Sequence, residues 1–184
     1  RGMEAVKSYK KLILILGSIC AVGVSAYTAV ALNIATDARP IWSNGSVIPI
    51  FMVASLITGI AAISLIVSLS GVKKGLSSLN TANAVLLIFQ LLLVGFLIIT
   101  ASTSSQLGRE AAGEILSGGL SVVFWAGLVV VGIVVPVIVS WSNLLAKVAE
   151  PRAGMTALIS AMVLVGVFVL RYIIVYGGQI IPLT

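Results

Sequence analysis

Histidine is absent from the 184 residues, cysteine occurs once and carboxylates only five times. With no histidine the chain lacks the axial ligands of a b-type haem. Cys20 stands alone in an apolar run, so no internal disulfide, iron–sulfur ligand set or zinc site can be assembled from these residues. Charged side chains make up 9 % of the sequence, against ~25 % in soluble domains. That scarcity excludes a disordered chain, which would be polar and charged, and a soluble globular domain. No Asp or Glu falls inside a long apolar run: Glu4, Asp37, Glu110, Glu114 and Glu150 all lie between such runs. Ion-coupled transporters and proton pumps usually carry a mid-membrane carboxylate, so a small transporter or channel is the weakest of the functional readings.

What the chain has in quantity is hydrocarbon. Three-fifths of its residues are hydrophobic and the mean hydropathy is +1.23. Five long apolar runs stand out, over 12–34, 47–69, 82–101, 116–141 and 155–176. At ~1.5 Å per residue each crosses a hydrocarbon core of ~30 Å. The alternation of a membrane β-barrel is absent, so helices are the spanning option left. The expected fold is all-α, a polytopic helical bundle with about five spans in a single membrane domain. Basic residues Arg1, Lys7, Lys10 and Lys11 precede the first run. That run is too long for a secretory signal and four more follow it, so it reads as a retained helix.

The loops set an expected orientation. Eight basic residues fall on one side, in the N-terminal segment and in the 70–81 and 142–154 loops. The other side holds three: Arg39, Arg109 and Arg171. The positive-inside rule places the N-terminus in the cytoplasm and the C-terminus outside. The net charge of +6 therefore speaks of topology, not of nucleic acid. Lys73 and Lys74 could also meet anionic headgroups, although orientation alone accounts for them.

Small residues recur at spacing four in two places, Gly17/Ala21/Ser25/Ala29 and Ala54/Thr58/Ala62. Such stripes let helix backbones approach closely in lipid. Pro136 predicts a packing kink in the fourth span.

Arg171 is the exception among the basic residues, because it lies inside an apolar run. An arginine there either snorkels to the interface or finds a polar partner. Around it stand Tyr172, Tyr176 and Gln179. On the same expected membrane face the first outer loop carries Asp37, Arg39, Trp42 and Asn44. These groups suit an aromatic ligand with two oxygens and an apolar tail, such as a quinol. The aromatics also fit an ordinary interfacial belt. Asn44-Gly45-Ser46 matches a glycosylation sequon, but Asn-Gly is first of all a turn signal, and the turn is the preferred reading.

Ala38-Arg39-Pro40-Ile41-Trp42, Ser55-Leu56-Ile57-Thr58-Gly59, Phe124-Trp125-Ala126-Gly127 with Pro136, and Leu170-Arg171-Tyr172-Ile173-Ile174-Val175-Tyr176-Gly177-Gly178-Gln179 together resemble the NrfD/PsrC family. These are membrane subunits of polysulfide-reductase-type complexes. The resemblance extends over essentially the whole chain. Relatives have about eight to ten spans, so five would correspond to the C-terminal part, and the family's quinone pocket draws on the earlier helices too. Relatives often carry an acidic residue in the third span, where this chain has Gln90.

The resemblance implies a multi-pass subunit of a prokaryotic cytoplasmic membrane that binds menaquinol or ubiquinol. It would exchange electrons with an iron–sulfur (ferredoxin-like) subunit at the outer face. That subunit would serve a molybdopterin enzyme or a multihaem cytochrome. No haem is expected on this chain. Arg39, Trp42, Arg171, Tyr172, Tyr176 and Gln179 would line or brace the quinone site. Asp37 and Asn44 would support it, Asp37 by pairing with an arginine. A purely structural membrane anchor is the alternative.

Overall fold

The computed structural model describes residues 2–34, 39, 41–71, 75–146 and 152–179, apart from the side chains of residues 2–8, 11, 13 and 14. The described residues are helical with no strand among them. The elements are α1 (Gly2–Asn33), α2 (Val47–Leu69), α3 (Leu76–Ser104) and α4 (Gln106–Leu116). A π-helical segment (Val123–Val134) then runs directly into α5 (Val135–Leu145), and α6 (Ala153–Gly177) follows. Five helical stretches are long and apolar enough to cross a membrane, as expected of a multi-pass protein.

The spans differ from the apolar runs in an instructive way. α3 is longer than its run, because Ser, Thr and Asn at both ends continue the helix. The fourth span begins and ends later than 116–141. Ser105 accepts a hydrogen bond from the Gly108 N–H at 3.0 Å and starts the short α4. The chain then breaks at Ser117–Leu120, and the span proper occupies Val123–Leu145.

The helix continues through Pro136. The proline lies in the first turn of α5, directly after the widened π turns. A proline ring clashes with the carbonyl four residues earlier in a regular α-helix. The wider spacing of the π turns relieves that clash.

α2, α3, the π segment with α5, and α6 form a ring of antiparallel neighbours. α2 packs on α3 and α6, α3 packs on α5, and the π segment packs on α6. Between α2 and α3, Gly71 and Gly75 take positive φ values of 73° and 88°, a conformation open to glycine. The core lies inside the ring and includes Ile50, Phe51, Ile57, Val163 and Leu170. α1 lies outside, against α2 alone. Gly17 and Ala21 of its small-residue stripe are exposed, and only Ala29 is buried. The stripe as a whole is therefore not a packing face within this chain. A close helix approach lies elsewhere, between Gly132 and Gly166. A β-carbon on Gly132 would lie 2.6 Å from the Gly166 Cα.

Antiparallel order gives the ring two distinct ends. One gathers the end of α1, the 39–46 loop, the start of α2, the end of α3, α4 and the end of α6. The opposite end gathers the α2–α3 turn, the end of α5 and the start of α6.

Candidate functional site: a capped helix end and a deep arginine

The last turn of a helix leaves carbonyls without intrahelical donors. At the end of α6 Arg39 and Trp42 add side-chain donors to such carbonyls, beside the Gly178 N–H that Ile174 also accepts. Trp42 donates its indole N–H to the Ile174 carbonyl at 2.9 Å, in a buried setting. Arg39 donates from Nη1 to the Gly178 carbonyl. The Arg39 guanidinium also stacks over the Trp42 ring, 4.8 Å from its centroid. A cation placed there complements the negative end of the helix dipole. Gly178 is required by this closeness, since a β-carbon on it would collide with the indole. Asn33, at the end of α1, donates to the Trp42 carbonyl at 3.2 Å and ties the first span to the same cap.

Seven residues earlier on α6, about 10 Å deeper, lies Arg171. Its Nη2 donates to the Ser55 hydroxyl on α2 at 3.0 Å. Its guanidinium faces the ring of Phe51, 5.5 Å from the centroid. Phe51 is fully buried in the core. The Nε of Arg171 is buried and has no hydrogen-bond partner among the described residues. Snorkelling does not describe this residue: the guanidinium turns inward to α2. Nor is Arg171 or Arg39 matched to a carboxylate among the described residues, as their partners are a hydroxyl and a carbonyl. The expected pairing with Asp37 lies outside the described residues.

Tyr172 and Tyr176 stack on each other, 5.2 Å between centroids and 11° between planes. Both are exposed on the outer surface of α6. They form a flat aromatic flank one position beyond Arg171, not a wall of the ring interior. Gln179 is exposed at the helix end, where its backbone N–H caps the Tyr176 carbonyl. Asn44 serves the loop. Its Oδ1 accepts from the backbone and hydroxyl of Ser46, and its Nδ2 donates to Thr100 of α3 at 2.6 Å. The turn reading of Asn44-Gly45-Ser46 thus describes what the segment does in the fold.

The anticipated residues therefore fall into three groups. Arg39 and Trp42 form a structural cap. Arg171 is a deep cation with donor capacity to spare. Tyr172 and Tyr176 are a surface pair. Two contributors had no role assigned from sequence, Ser55 and Phe51. Ser55 lies in one of the family-like motifs, but nothing in its spacing announces a partner 116 residues away. Phe51 looks like any core aromatic until the guanidinium is placed beside it.

Chemically, the deep arginine offers N–H donors to an acceptor oxygen in a low-dielectric setting, beside a flat apolar ring. Nothing on the described residues neutralises its charge. An electron-rich or anionic oxygen would be stabilised there.

Known proteins place this arrangement in a family. The family model for polysulphide reductase, NrfD, matches residues 3–182. An NrfD homolog of Haemophilus influenzae is 29 % identical over 167 residues, covering 88 % of this chain and 51 % of the relative. A polysulfide reductase chain of Wolinella succinogenes is 28 % identical with the same coverage. A selenate reductase subunit of Mesobacillus selenatarsenatis is 26 % identical over 185 residues, covering 97 % of this chain and 42 % of the relative. No solved structure matches the chain. The chain spans about half the length, or less, of these relatives. With a model match along nearly its whole length, this chain belongs to the polysulphide reductase NrfD family.

Proposed function

We propose that the chain forms part of the membrane subunit of a reductase complex of the polysulfide or selenate type. In this reading it binds a quinol, menaquinol or ubiquinol, in a prokaryotic cytoplasmic membrane. It passes electrons to a peripheral iron–sulfur subunit at the outer face, which serves a molybdopterin or multihaem partner. The names of two relatives, one from a polysulfide reductase and one from a selenate reductase, support the setting.

The observation that carries the quinol reading is Arg171. Its buried Nε lacks a partner among the described residues, and Ser55 and Phe51 stand beside the same guanidinium. These residues fit a quinone head group. The arginine donates to a ring oxygen and favours its anionic form, Ser55 holds the guanidinium, and Phe51 supplies an apolar face. The Arg39–Trp42 cap fixes the end of α6 and so fixes the height of Arg171.

The test is a quinone-analogue titration of the purified complex, wild type against Arg171→Ala and Arg171→Lys. A charged hydrogen bond contributes ~1.5–3 kcal/mol, so Arg171→Ala should weaken binding by roughly 10- to 100-fold. Lysine keeps the charge but not the fork, and should restore part of the loss. Unchanged binding in both variants would move the quinone site off this chain and leave the anchor reading. The cap supports that second reading, because the Arg39 and Trp42 donors are engaged within the fold.

A further inference from the structure

Polar side chains inside a membrane bundle are costly unless they are hydrogen-bonded. In this ring seven of them are gathered at one end, the end opposite Arg171, while Ser46 and Gln90 are buried elsewhere. Each of the four ring helices contributes. α2 supplies Ser64 and Ser68, α3 supplies Asn80 and Asn83, α5 supplies Ser140, and α6 supplies Thr156 and Ser160. All seven are buried, from 0 % exposed at Thr156 to 7 % at Asn80.

Helix rise places them at a common depth. At ~1.5 Å per residue, all lie within about 11 Å of the helix ends that meet there. Further along, the interior turns apolar, with Ile57, Leu87, Val163 and Val167. The polar residues therefore form a cluster at this end of the ring, with mostly apolar side chains beyond it.

The groups in this cluster do not all satisfy one another. Asn80 reaches Thr156 at 3.4 Å, a long bond between α3 and α6. The hydroxyls of Ser64 and Ser68 and the Oδ1 of Asn83 are buried with no hydrogen-bond partner among the described residues. A buried polar atom without a partner costs about 1–3 kcal/mol. Three such atoms would consume a large part of a net stability of ~5–15 kcal/mol. A small molecule that both donates and accepts, and that bridges hydroxyls and amides at 2–4 points, removes the cost. Among the described residues no charged side chain lies in the cluster.

We propose that this end of the ring encloses a cluster of bound water, held by Ser64 and Ser68 on α2 and Asn83 on α3 and bordered by Thr156 and Ser160 on α6. It is a wet interior separate from the arginine site. It joins α2, α3 and α6 by water bridges where direct side-chain contacts are missing.

Radiolytic labelling tests this, since a brief X-ray pulse turns bound water into hydroxyl radicals that oxidise the nearest thiol. The full-length protein in nanodiscs, with Cys20 replaced by Ala and heavy-oxygen water as solvent, is compared as Ser64→Cys, Ser68→Cys and Val163→Cys. Val163 is buried in the apolar part of the ring, and cysteine fits its space. Label should enter Ser64→Cys and Ser68→Cys about 10-fold or more faster than Val163→Cys, as expected for a thiol beside ordered water. Label entering Ser64→Cys no faster than Val163→Cys overturns the proposal, whatever Ser68→Cys does. Ser160→Cys, on the facing helix, takes the place of Ser64→Cys if that variant fails to accumulate, under the same criterion.

Discussion

Gln90 shows at the scale of one residue how a membrane core tolerates a polar group. It is 1 % exposed, deep in α3, and both atoms of its amide lack a hydrogen-bond partner among the described residues. Leu87, buried on the same stripe, separates it from the polar end of the ring. Replacing an unpartnered buried amide by hydrocarbon of similar volume removes a desolvation cost. Gln90→Leu should therefore raise stability by about 1–3 kcal/mol, seen as a higher midpoint in a detergent melt. Trp42→Phe keeps the ring but removes the N–H to Ile174. That carbonyl retains the Gly178 N–H as a donor, so the loss should be near 1 kcal/mol in the same assay. Arg171 was legible in the sequence because a charge within an apolar run has few explanations. Its partner was not. Ser55 is half-buried on α2 and shares no periodicity with α6, and only the packing of the two helices sets their relative height. Tyr172 and Tyr176 were read as lining or bracing the site, and the helix places them on its outer side. Next to an inward-turned position 171, residues 172 and 176 point away from the bundle.

The helices themselves were mostly legible, because 20-residue apolar runs leave the backbone one way to satisfy itself in lipid. Their internal geometry was not. The π-helical stretch at Val123–Val134 has the same residue types as a regular span, and hydropathy cannot count residues per turn. Small residues mark where helices could approach, but not which partner they meet. Among the described residues only Ala29 of the α1 stripe is buried, while the pair Gly132 and Gly166 brings the π segment and α6 into backbone contact. Gly166→Ala must push these two helices apart or distort them. A cost of about 1–3 kcal/mol is expected from such overpacking. Gly154→Ala, on the same helix but with open space around it, should be neutral or slightly stabilising. A melt of the two variants side by side separates the contact from general glycine effects.

For the molecule as a whole, the two ends of the bundle differ in chemistry. One carries the arginine cap and α4, the other the buried polar cluster and, in sequence, the larger share of Lys and Arg. The charge asymmetry predicts that the cap end faces outward. With Cys20 replaced by Ala, Ser105→Cys should react with an impermeant maleimide in intact cells, and Ser70→Cys only after the membrane is opened. Both positions are exposed at helix ends. The reverse pattern would invert the topology and put Arg171 near the cytoplasm.

The cap also imposes an order of events. Trp42 and its acceptor are 132 residues apart, and Arg39 and its acceptor 139. A chain that emerges from the ribosome N-terminus first presents the two donors while α6 has yet to be made. The loop must wait, unsealed, through the insertion of the intervening spans. Closing so long a loop is entropically slow, and it completes the cap end only once α6 is in place. A stop after Leu170 would leave the four earlier spans intact in composition. It would remove the deep cation and both acceptor carbonyls together, so quinone-analogue binding should vanish while membrane insertion persists.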